Sequence, residues 1–71
     1  MEHHDFFQDA RETVARLELL ALAAETETQH QAVLKQYDRA KETLNDAFHF
    51  SAPAEQDQII QMQEHLQRLM H

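Results

Sequence analysis

Seventy-one residues with 13 acidic and 6 basic side chains, no glycine, one proline and no cysteine leave little room for anything but helices. Glycine supplies left-handed turns, so its absence excludes glycine-rich phosphate loops and the tight turn that carries a hydrolase nucleophile. The formal charge of −7, with scattered basic residues, excludes the concentrated positive field that nucleic acid or an anionic membrane surface requires.

A chain this short makes one domain, residues 1–71. Domains of this size bury only about 60% of the surface of their unfolded chains. No cysteine staples this one, and no Cys/His spacing suits structural zinc. Self-association is the remaining common way to enlarge the core.

The opening Met1-Glu2-His3-His4-Asp5 is acidic where a signal peptide carries a cationic region. The longest apolar run, residues 19–24, is far short of the roughly 20 residues that span a membrane. A cytoplasmic location is therefore expected. Met1, Glu2 and His3 together present a nitrogen set suited to square-planar copper or nickel. A chain end that happens to hold histidine explains them more simply.

Asp5 suits the N-cap of a first helix, and Asp9 and Glu12 place negative charge near its positive end. Phe7, Ala10, Val14, Leu17, Ala21 and Ala24 then recur at spacings of three and four, one face of a helix. A second stripe, Ala15, Leu19 and Leu22, runs beside it. Residues 17–24 are thus apolar over most of their circumference and need cover on more than one side.

Residues 25–31 interrupt the pattern with polar side chains, after which Val33, Tyr37, Ala40, Leu44 and Ala47 resume it beside Leu34 and Phe48. Thr26 with Gln29, or Thr28 with Gln31, can form a capping box that starts a new helix. That reading gives a monomeric three-helix bundle with a break near residues 25–29. Against it, no glycine or asparagine follows Ala24 to occupy the usual position after a helix end. For continuity, Ala15, Leu19, Leu22, Thr26, His30, Val33, Tyr37, Ala40, Leu44 and Ala47 form one stripe with a single extra step of four, as in a stutter. The expectation is therefore an all-α helical hairpin. It has one long helix over about residues 5–48, a turn at 49–52 and a return helix over about 53–70.

Phe50-Ser51-Ala52-Pro53 marks the turn, because proline suits the first position of a helix. Glu55 and Asp57 lie in the opening turns, Arg68 in the last, and Ile60 and Met70 flank the apolar face. The expected hairpin core is Val33, Tyr37, Leu44, Phe48, Ile59, Met62, Leu66 and Leu69. A return helix covers less than half of a partner ~65 Å long. That leaves Val14, Leu17, Leu19, Leu20 and Leu22 as a bare self-association surface, with a dimer favoured.

Little here carries chemistry. Glu27 and His30 have the Glu-x-x-His spacing of di-metal bundles, loosely echoed by Asp46 and His49, but read more simply as solvated polar pairs. Glu25 and Glu27 sit on a polar run rather than in an apolar cleft that raises a carboxyl pKa. Phe48 and Phe50 are expected to plug the hairpin end, while a helix easily hides only one of the adjacent Phe6 and Phe7. Glu12 with Arg16 and Glu64 with Arg68 are spaced to support helices. Protonating the six histidines takes the formal charge from −7 to −1, which favours larger assemblies at mildly acidic pH. His30, on the continuous stripe, is the one histidine placed to act against that trend if an interface buries it.

These readings converge on a small acidic interaction module of adaptor, regulator or chaperone-like character, without catalysis, metal or cofactor. It would act as a homo-oligomer and bind another protein. The alternatives are an acidic inhibitor that mimics nucleic acid and a metal-binding helical bundle.

Overall fold

Gln29 sets the architecture. In the computed structural model, which describes residues 5–70, its Oε1 accepts from the backbone N–H of Glu25 at 2.7 Å and of Thr26 at 3.0 Å. Thr26 Oγ1 accepts in return from the N–H of Gln29 at 3.1 Å. The reciprocal box satisfies amide donors that a helix start otherwise leaves open, so a helix begins here. The alternative pair does not form: Gln31 donates instead to Glu27 at 3.3 Å.

The chain accordingly forms three helices, α1 over Phe6–Ala23, α2 over Glu27–His49 and α3 over Pro53–Leu69. The continuous helix expected over residues 5–48 is corrected to two helices, and the three-helix reading describes the molecule. The missing glycine does not matter, because the chain leaves α1 through Ala24 at φ −70°, ψ 124°, extended backbone open to any residue. Among the described residues no φ is positive. The unbroken stripe was a coincidence of phase, and Thr26 and His30, which carried it across the break, are both exposed. Replacing Thr26 by alanine removes one half of the box and is expected to cost about 1 kcal/mol, read as a lowered urea midpoint.

The other ends follow their local chemistry. Asp5 Oδ1 caps α1 by accepting from the N–H of Gln8 at 3.0 Å. Pro53 opens α3, with Glu55 Oε1 reaching back to the N–H of Ala52 at 3.2 Å. The turn before it is tied down by Gln56, whose Nε2 donates to the carbonyl of Phe48 at 2.8 Å, and by Ser51, whose hydroxyl donates to that of Ala47. With links this short each helix packs antiparallel to the next, so α1 and α3 run in the same direction.

The core draws on all three helices: Ala10, Val14 and Leu17 from α1, Val33, Ala40, Leu44 and Ala47 from α2, Ile59 and Leu66 from α3. Leu17, Leu44, Ile59 and Leu66 fill its centre, and the fully buried alanines let the helices approach. Tyr37, Phe48, Met62 and Leu69 pack against it, half-buried. Of the residues expected in a hairpin core, Val33, Leu44, Ile59 and Leu66 are thus buried and the other four half-buried, with α1 packed against them. Val14 and Leu17, expected on a self-association surface, are 8% and 2% exposed because α1 turns its apolar stripe onto its own neighbours. Phe6 and Phe7 both pack against the core. Phe6 stacks on Phe50 with ring centres 4.6 Å apart, while Phe50 keeps its outer face in solvent rather than plugging the end.

The Cα trace measures 40 × 28 × 15 Å. Among the described residues no helix is long and apolar enough to cross a membrane.

Candidate interaction face

At about 100° per residue, an eighteen-residue helix cannot turn both of its apolar stripes inward. In α1 the stripe through Ala10, Val14 and Leu17 faces the core, which leaves Ala15, Leu19 and Leu22 on the outside. Leu19 is 69% and Leu22 80% exposed. α1 packs most heavily on α2 and most lightly on α3, and a groove opens along that lighter contact. Arg11, Val14, Ala15, Glu18, Leu19 and Leu22 line it from α1, and Met62 from α3. Val14 shows the groove only the edge of a side chain that the core otherwise claims.

One polar contact spans the two walls. His65 Nε2 and Glu18 Oε1 lie 2.5 Å apart, both half-buried, joining α3 to α1 across 47 positions of sequence. His65 follows Met62 by three residues, which places both on the same face of α3. The contact needs no charge on histidine, since a neutral imidazole also donates to a carboxylate.

The leucines of the expected surface thus part company. Leu17 belongs to the core, Leu19 and Leu22 to the α1/α3 groove, and Leu20 to the other flank, beside Gln36, Arg39 and Thr43 of α2. Leu34, also exposed, lies outside the groove, at the end of the bundle where Ala21, His30, Leu69 and Met70 come together. On α2, Lys41 sits 3.4 Å from Asp38 and 4.8 Å above the centre of the Tyr37 ring.

Among the described residues no group of three His, Asp or Glu side chains is placed to hold a metal ion. Glu27, His30, Asp46 and His49 are all exposed. The nitrogen set of Met1, Glu2 and His3 lies outside the described residues. Glu12 accepts from Gln8 at 3.4 Å rather than from Arg16. Sequence reasoning missed the Glu18–His65 contact and the part of Met62 in the groove. Neither residue carries a signal of its own, since only the return of α3 alongside α1 brings them together.

Residues 1–69 match the family described as "Protein of unknown function (DUF3813)". The chain belongs to that family. The DUF3813 match spans all three helices, so the family relation concerns the whole bundle and not one segment of it. No curated protein and no solved structure matches the chain.

Proposed function

We propose that this protein is a non-catalytic helical module that works by protein–protein contact, self-association included, through the groove between α1 and α3. The observation that carries the reading is the pair Leu19 and Leu22, two large apolar side chains held side by side in solvent on a bundle whose core is already filled. Burying each against a partner is favourable by about 1.5–3 kcal/mol before the costs of association are subtracted. Every buried side chain among the described residues is apolar, so the core itself offers a partner nothing but shape and the recognition falls to the surface.

Sedimentation velocity from micromolar to millimolar protein tests the reading. The wild type is expected to shift toward a dimer as concentration rises, and the double variant L19E/L22E to remain monomeric with unchanged helical circular dichroism. Both substitutions are on the surface, so loss of fold does not mimic the result. A wild type that stays monomeric throughout removes self-association from the proposal.

A further inference from the structure

We infer that the α1/α3 groove is occupied by the same groove of a second copy, the two α1 helices lying antiparallel about a two-fold axis beside Ala15. The inference rests on the self-association proposed above and supplies its partner, register and orientation.

The charges on the groove carry it. Arg11, Ala15, Glu18 and Leu22 follow one another at spacings of four, three and four, a single line along the groove side of α1. Arg11 lies four residues before Ala15 and Glu18 three residues after it. A two-fold axis beside Ala15 reverses this line. It lays Arg11 on the partner's Glu18 and, by the same symmetry, Glu18 on the partner's Arg11. One register thus makes two unlike-charge contacts. A parallel pairing sets Arg11 against Arg11 and Glu18 against Glu18, which is repulsive.

Shape agrees with charge. Ala15, at the axis, has the small side chain that lets two helices approach closely. In this register Leu22 falls opposite the partner's Phe7, which is only half-buried in its own bundle, and Leu19 lies over the turn at the partner's Ala10. Each copy thus contributes its leucines and receives the other's on its first turns. Glu18 is already held by His65 through Oε1, so its carboxylate is positioned before the partner arrives and Oε2 remains for the guanidinium. The contact is small. α1 is about 27 Å long, and one helix face of that length falls below the roughly 1,200 Å² of typical stable interfaces. The dimer is accordingly weak and concentration-dependent.

The absence of cysteine gives a direct test. Under mild oxidation the variant A15C is expected to form a disulfide-linked dimer, because the axis brings the two introduced thiols together. The variant L34C, exposed on α2 and outside the groove, is expected not to. Separately, R11E and E18R are each expected to weaken association by about tenfold, since each reversal creates two like-charge contacts. The double variant R11E/E18R is expected to restore it. R11E serves as the clean single variant, because E18R also loses His65. A dimer that crosslinks through L34C but not A15C, or that ignores both charge reversals, overturns this geometry and leaves self-association standing. A protein that never dimerises overturns both, and an α1/α3 groove that binds only a helix of another protein overturns the choice of partner.

Discussion

Replacing Leu44 by alanine is expected to remove about half of the stability of the bundle. Leu44 is fully buried on α2, between the other two helices, where no solvent can fill the space its side chain leaves. Leucine-to-alanine changes at such sites cost about 2–5 kcal/mol, from lost transfer energy and from the cavity. A domain of this length holds only about 4–11 kcal/mol in total, taking roughly 0.05–0.15 kcal/mol per residue. Urea unfolding followed by circular dichroism, with both proteins at the same low concentration, measures the loss with the contribution of association held constant. Leu34→Ala, on a side chain 54% exposed, is the control and is expected to stay within about 0.5 kcal/mol of wild type. Equal effects at the two positions would show that Leu44 is not central.

A proline scan across the first link is expected to give the sharpest contrast. Glu27 is the first residue of α2, where the amide makes no intrahelical bond and proline is welcome. Thr26 before it has φ −105° and ψ 161°, the extended geometry that a residue preceding proline prefers. Glu27→Pro is therefore expected to leave stability within about 0.5 kcal/mol of wild type. Gln31→Pro, one turn further on and equally exposed, is expected to cost about 3 kcal/mol or more, because it removes a helical hydrogen bond and clashes with the preceding turn. Were the helix continuous through residues 25–31, both substitutions would be equally damaging. The two thermal unfolding midpoints discriminate between these outcomes.

The same link separates what is legible in the sequence from what is not. The spacing of Thr26 and Gln29 shows the box, while the stripe that continues through residues 25–31 and the lack of glycine after Ala24 point to an unbroken helix. A helix can end by passing directly into extended backbone, as α1 does at Ala24, and that exit leaves no mark in composition. A local signal for starting a helix was therefore stronger than the missing signal for stopping one. The core residues survived the wrong topology because the periodicity of each segment names its inward face whatever lies opposite. Ile59 and Leu66 are buried in a core that draws on all three helices, and Val14 and Leu17 turn inward as soon as a break lets α1 fold back. The groove was half legible. Leu19 and Leu22 stood out as a second apolar stripe, but its polar rim, Glu18 held by His65, joins residues that no short-range pattern connects.

Among the described residues no polar side chain is buried, and this limits how the core can change. Where buried hydrogen bonds are present, they tell one helix from another and forbid slipped packings. In the core here volume makes that distinction, through small alanines at Ala10, Ala40 and Ala47 and large side chains at Leu17, Leu44, Ile59 and Leu66. Exchanges among leucine, isoleucine and methionine at the large positions keep the total volume and so leave the packing tolerable. The alanine positions have no such latitude, for a single added methylene pushes two backbones apart. The identity of the fold is thus written more in its three smallest buried side chains than in its largest.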